Sequence, residues 1–269
     1  MERGLEYKLK PNMFRAYRLE PFEWKEGYAR KGERLADALR GGLRACLSDF
    51  IINGEIDGTK LQTHWFPKTD ASVFISHARE DTDLALSLAG WLKITFGINS
   101  FIDSMVWGHI DVLQKEIDNA YCKNEEEGSY DYLLRNKSTA HVHMMLATAL
   151  SQMIDYCECS IFVSSPKSTN VEDAINRVHS SWIYHELNIM KLIRRRAPED
   201  HRSLIKESQI RKSETPKRSL PIHYETDLSS FPVINLNTLK QWMSQWSEVK
   251  PRLHSHPLDA LYDLTHSED

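Results

Sequence analysis

The chain has 269 residues, 41% of them hydrophobic, so it can bury a sizeable core as one large domain or one domain with a preface. A net charge of -4 argues against a nonspecific nucleic-acid binder, and no apolar run approaches the ~20 residues that span a bilayer. The four cysteines, Cys46, Cys122, Cys157 and Cys159, lack the spacing of a disulfide framework, and Met1 to Lys10 lacks a signal-peptide core; the expected setting is the cytoplasm.

Residues 1 to 69 read as a helical extension. Leu35, Ala38, Leu39, Leu43, Cys46, Leu47, Phe50 and Ile51 fall at helical spacing between Arg34 and Ile52, and Asn53-Gly54 and Asp57-Gly58 then mark turns. This helix is expected to dock on the following domain, because some seventy residues with one good helix make a poor independent core. Ala71 to His77 is a β-branched and aromatic run, predicting a strand. Asp81 is placed to cap a helix carrying Leu84, Leu88 and Leu92, and Gly97 to end it. Ile98 to Asp103 predicts a second strand, followed by a loop through Trp107 and Gly108 and a helix over Ile110 to Asp118. Strand, helix, strand at this spacing is a βαβ unit, which implies a parallel sheet.

An insertion follows, Asn119 to Ala140, carrying Glu125-Glu126-Glu127-Gly128; it reads as a cap over a pocket or a binding segment for an activator. Val142 to Tyr156 predicts a helix, Cys159 to Ser165 a strand, and Ser181 to Arg195 a helix closed by Arg194, Arg195 and Arg196. Ala197 to Pro221 reads as a surface loop, Pro232 to Asn235 as a short edge-like run, and Asn237 to Val249 as an amphipathic helix with Leu239, Trp242, Met243 and Trp246 inward. Residues 251 to 269 are left as a tail. In an open α/β sheet ligands bind at the carboxyl edge, so Ser76 to Arg79, Asp103 to Gly108 and the start of the 181 helix are expected to converge there.

Trp182 and Glu186 lie one helical turn apart, within reach of one pocket. On that octet alone, an amphipathic helix with a core indole and a solvated Glu is the better description. The combination of Val73-Phe74-Ile75-Ser76-His77 opening a flavodoxin-like unit with Ser180-Ser181-Trp182-Ile183-Tyr184-His185-Glu186 opening a later helix resembles a TIR domain, over residues 70 to 250. The resemblance implies a flavodoxin-like fold with a central parallel sheet flanked by helices. It implies that Glu186 is the catalytic glutamate, and that Trp182 lies against nicotinamide. Ser76, His77 and Arg79 would line the nucleotide pocket, with Asp103 and Trp107 in the loop that closes over it or builds assemblies. Trp65-Phe66-Pro67, Phe101-Ile102-Asp103-Ser104 with Val106-Trp107-Gly108, and His141-Val142-His143-Met144-Met145 further resemble bacterial TIR proteins of Thoeris-type anti-phage defence. The insertion departs from the short family pattern.

The chemistry can also be argued from residue types. Release of nicotinamide from NAD passes through an oxocarbenium-like state, and the leaving group departs neutral because it starts as a pyridinium cation. A carboxylate that answers the developing positive charge is the useful group, as in glycosidases, and an indole face attracts the cationic ring by roughly 0.5–2 kcal/mol. NAD is then substrate and no resident cofactor is expected. His141 with His143 and His254 with His256 lack a third ligand, so no metal site is expected. Asp103 at a strand end resembles a receiver phosphoacceptor, but the end of the preceding strand carries Ser76 and His77 where a receiver has acids. Two functions remain: an NAD-consuming enzyme making an ADP-ribose-derived signalling nucleotide, or a noncatalytic module that assembles with other TIR domains. Expected partners are NAD, other copies through TIR contacts, a downstream effector that senses the product and a phage-derived trigger, with no nucleic acid and no membrane.

Overall fold

The computed structural model describes residues 16–20, 22–24, 27–39, 47–52, 55–65, 69–124, 128–163, 165, 177–178, 181–193, 224–225, 231–249 and 256–265, with only the backbone at 38–39, 52, 55, 65, 104–110, 177–178, 224–225 and 249. Arg194–Arg196, the segment 197–221 expected as a surface loop, Glu125–Glu127 and Cys46 lie outside these residues. The five strands of the central sheet are β1 (Ala16–Leu19), β4 (Val73–His77), β5 (Ser100–Ile102), β6 (Cys159–Val163) and β9 (Val233–Ile234), ordered β5-β4-β6-β1-β9. Every pairing is parallel, so all five carboxyl ends share one edge. Two small antiparallel pairs, β2 (Ile51–Ile52) with β3 (Glu55–Ile56) and β7 (Arg177–Val178) with β8 (Tyr224–Glu225), stand outside the sheet. The architecture is the expected α/β, flavodoxin-like one.

Side chains alternate across the sheet and divide the core in two. Phe74, Phe101 and Phe162 point to one face, where they meet Leu113 and Ile117 of α4 (Ser104–Tyr121), Val142 to Ile154 of α5 (Tyr132–Tyr156), and Ile183, Leu187 and Met190 of α6 (Ser181–Leu192). Tyr17, Val73, Ile75, Ile102 and Ile161 point to the other. There they meet α3 (Thr82–Phe96), α7 (Leu236–Val249) and α8 (Pro257–Thr265), with Ala36 of α1 (Tyr28–Leu39) in the same layer. Strands buried on both faces read as nearly continuous apolar runs, which is why β4 and β6 are legible in sequence.

Four elements differ from the sequence reading. The region read as a helical extension contributes β1 to the interior of the sheet, between β6 and β9. Four residues, Ala-Tyr-Arg-Leu, are too few to display a period. The helix expected over Arg34–Ile52 is instead α1, ending at Leu39, with a separate 3-10 turn at Leu47–Phe50. The loop expected over Asp103–Gly108 is helical from Ser104 onward, so Trp107 lies in the first turn of α4 rather than in a loop. The tail contains α8, whose Leu258, Ala260, Leu261 and Tyr262 are buried, while the Trp242 indole donates to the Pro257 carbonyl at 2.8 Å. The last helix is otherwise as read, with Leu239 and Trp242 buried, although Met243 is exposed.

The insertion is knitted into the fold. Lys123 and Tyr130 form a bridge that turns the chain, and residues 132–140 are the first turns of α5. Asp118 of α4 accepts from Gln114 (2.9 Å), Ser138 (2.5 Å) and Arg135 (3.1 Å). Burial pushes this carboxyl up, but these donors outweigh it and hold it below the usual carboxylate range. Cys122, Cys157 and Cys159 are buried, and none of the three is in a disulfide.

Two glycines set the crossing of α1 over α3. A Cβ at Gly90 would stand 2.0 Å from the Tyr28 carbonyl oxygen, and one at Gly32 would stand 2.0 Å from that of Leu86. Gly97 ends α3 in the left-handed region at φ 74°, as its position predicts. Gly90→Ala is therefore expected to destabilise the protein by about 1–3 kcal/mol or more, because the backbone contact outweighs the ~1 kcal/mol helix-propensity gain. Gly58→Ala in α2 (Gly58–Trp65), where nothing lies within 4 Å, is expected to be neutral or stabilising. Thermal or urea unfolding of the two variants tests this; equal effects would contradict the close crossing.

Candidate active site

Register and alternation bring the site together. Ile75 pairs with Ile102 and the Asp103 amide donates to the Ile75 carbonyl at 3.3 Å, so Asp103 follows beside Ser76 at the carboxyl edge. Ser76 shares the face of Phe74, and Asp103 that of Phe101; α6 covers this face and carries Glu186. The two helices on the outer flanks also diverge here. The connection from β4 to β5 runs through α3 on one face, whereas that from β5 back to β6 runs through α4 and α5 on the other. The carboxyl ends of β4 and β6 thus form a topological switch point, the usual ligand crevice of such sheets.

Four polar side chains meet at this point. The Ser76 hydroxyl donates to Glu186 Oε2 at 2.6 Å, and His77 Nδ1 stands 2.5 Å from Asp103 Oδ1. The Asp103 charge bears on Glu186, whose second oxygen, Oε1, is buried with no hydrogen-bond partner among the described residues. None of the four exposes more than 4% of its surface. The His77 contact is at ion-pair distance but its N–H is not aligned on the oxygen, and Nε2 of the same ring is buried without a hydrogen-bond partner. The arrangement is a chain, Ser76 to Glu186 to Asp103 to His77.

Burial is the main cause that drives Glu186 well above the usual carboxylate range, with the Asp103 charge adding to it; the Ser76 hydrogen bond acts in the opposite direction. The neutral form of Glu186 is thereby favoured at a place held out of water, beside a second buried carboxyl. A carboxyl so placed can exchange a proton and, once ionised, faces a cationic group without competing water.

Of the other residues singled out in the sequence, Trp182 is half-buried one turn before Glu186 and meets the His143 ring of α5 edge-on, with centroids 5.5 Å apart. Arg79 is exposed in the 3-10 turn Arg79–Asp81 that follows β4. Trp107 is placed by its backbone only, in the first turn of α4. His185, between Trp182 and Glu186, turns to α5, with Nε2 3.1 Å from Ser151 Oγ and 3.2 Å from the Ala147 carbonyl.

Asp81 differs from its expected role. It occupies the cap position of α3, but its side chain makes no capping hydrogen bond and is buried, accepting instead from Ser165 Oγ at 2.5 Å. This ties the loop after β4 to the end of β6 across the switch point. Helix-start statistics favour the cap reading, and only tertiary placement reveals the other. Arg18 of β1 was also missed, because its strand was. No protein-family model, curated protein or solved structure matches this chain.

The protonated Glu186 has a consequence for stability. Its folded pKa lies above its unfolded value, so the native state binds a proton that the unfolded chain has released, and stability falls as pH rises from the ordinary carboxylate range toward the folded pKa. Gln copies the neutral carboxyl, with its amide oxygen able to accept from Ser76 and its N–H groups able to donate to Asp103. Glu186→Gln is expected to melt above the wild type at about pH 8, by ~2–4 °C per kcal/mol for a chain of this size, with the gap closing toward about pH 4. A variant less stable than wild type across that range would show that the pair is not strained.

Proposed function

We propose that the chain is an NAD-consuming enzyme of TIR type that cleaves the bond between nicotinamide and ribose, with Glu186 as the catalytic carboxyl. The observation that carries this reading is the Ser76–Glu186–Asp103 cluster at the switch point of the sheet, buried carboxyls where a TIR-like NAD pocket is expected. No described helix is long and apolar enough to cross a membrane.

The electron accounting suits such a pair. The C1′–N bond breaks with its electron pair moving onto the pyridinium nitrogen, so nicotinamide leaves neutral and needs no acid. Positive charge builds on the ribose, and carboxylate charge at Glu186 and Asp103 stabilises it far more in a dry site than it would in water. An incoming water oxygen bonds to C1′ and gives up its proton to the carboxyl pair, from which the proton leaves to solvent; an internal nucleophile or a second acceptor in place of water gives a cyclic or conjugated ADP-ribose. Ser76 holds one Glu186 oxygen in place, and His77 balances Asp103 on the far side. Trp182 supplies a ring face one turn from the carboxyl for the cationic ring. Glu186 is sealed in the free protein, so substrate entry requires its cover to part.

Production of a signalling nucleotide in anti-phage defence is the biological reading that the Thoeris-type resemblance adds. The alternative, a noncatalytic interaction module, draws on the exposed Tyr132 (75%) and Leu133 (68%) at the start of α5. Nicotinamide release from NAD at high protein concentration, with products resolved by mass, separates the two. Wild type is expected to release nicotinamide and Glu186→Gln to lose at least 10²-fold in rate, the scale of losing a principal electrostatic group. Equal release by both proteins would contradict the role of Glu186, and no release by either would favour the interaction module.

A further inference from the structure

Arg18 lies on the same line across the sheet as the carboxyl cluster. It pairs with Phe162, which in turn pairs with Ser76, and Asp103 follows beside Ser76. All four stand on the α5 and α6 face: Ala16 joins that core, while Tyr17 and Leu19 on either side of Arg18 join the other. With strands ~4.8 Å apart, Arg18 is two strands and roughly 10 Å from Ser76, separated from it by the buried Phe162 ring. It is the penultimate residue of β1, as Ser76 is of β4, so both stand at the same depth from the carboxyl edge.

The state of the side chain is unusual for a strand interior. Arg18 is half-buried, and its Nε is out of water with no hydrogen-bond partner. Among the described residues no carboxylate pairs with it. Its backbone is fixed on both sides, by β6 and by β9, with its amide donating to the Pro232 carbonyl at 3.0 Å. A guanidinium left partly desolvated without a counter-charge is costly, and an arginine on a rigid strand is pre-organised for bidentate contact with phosphate oxygens.

We propose that Arg18 binds the diphosphate of the dinucleotide, at a subsite displaced along the sheet from the carboxyl cluster that receives the nicotinamide ribose. This rests on the NAD reading of the site and adds its second anchor: a cation for the phosphates at β1, an anion for the pyridinium-bearing ribose at β4 and β5. The opposite charges fix the direction in which the dinucleotide lies, and the insertion of β1 beside β6 is what supplies the cation.

The test is calorimetric binding of two probes, ADP-ribose, which carries the diphosphate, and nicotinamide riboside, which carries no phosphate, to the full chain and to Arg18→Gln and Arg18→Lys. The expected result is at least a tenfold loss of ADP-ribose affinity in Arg18→Gln and a smaller loss in Arg18→Lys, with riboside binding unchanged in both variants. Failure of the wild type to bind ADP-ribose would overturn the proposal. So would an Arg18→Gln protein that melts lower than wild type yet binds both probes in the wild-type ratio, since that marks Arg18 as structural. The two readings fail separately: Arg18-dependent binding of ADP-ribose without nicotinamide release from NAD would refute cleavage and keep the diphosphate subsite.

Discussion

Glu186 from α6 and Asp103 from the end of β5 stand together where neither touches water, and the site is organised around these two buried carboxyls. Moving one carboxylate into such a place is costly, and moving two without a proton would be far more so. The fold meets that cost with specific partners: the Ser76 hydroxyl for Glu186, and the His77 ring for Asp103. Each partner is placed by the parallel register of β4 and β5, which sets Ser76 and His77 beside Asp103, while Ile183, Leu187 and Met190 press α6 against the sheet one turn either side of Glu186. Loss of any one of these would leave a buried charge without compensation.

The same arrangement explains why a site can be stored inside a well-packed core. A protonated carboxyl pair is compatible with an apolar surrounding, whereas a bare carboxylate is not. In the proposed enzyme, a substrate that brings its own positive charge changes the balance, because an ionised carboxyl then has a counter-ion and the pyridinium loses that charge only as the bond breaks. Stability given up to hold a carboxyl out of water is a trade found widely at functional sites. Arg18, on the same face and row, holds the opposite charge in an equally unsatisfied state.

Much of this was legible in the sequence because it follows from period and type. Val73 to His77 and Cys159 to Val163 are apolar runs buried on both faces, and they were read as strands; Leu84, Leu88 and Leu92 gave α3, and Gly97 its end. Ser76, His77, Asp103 and Glu186 were picked out as candidates, and the structure brings those four into contact. What could not be read depended on tertiary placement. Ala16 to Leu19 is too short to show alternation, so β1 and Arg18 were invisible until the sheet order was known. Asp81 carries a cap residue's signature yet turns inward to Ser165, and Trp107 and Gly108 gave the look of a loop to residues that continue a helix. The burial that raises Glu186 and sets it near Asp103 is a property of tertiary placement, and no spacing in the chain encodes it.

The account stands on the carboxyl pair being where the ribose reacts. The most direct measurement is a crystal structure with an NAD analogue whose nicotinamide-ribose ring oxygen is replaced by carbon, so that it binds without being cleaved. The account predicts that the analogue's ribose hydroxyls lie within hydrogen-bond reach of Glu186, with the cover over that side chain displaced. An analogue seated away from the β4–β5 edge, or one bound while Glu186 stays sealed against Ser76 and Asp103, would contradict it.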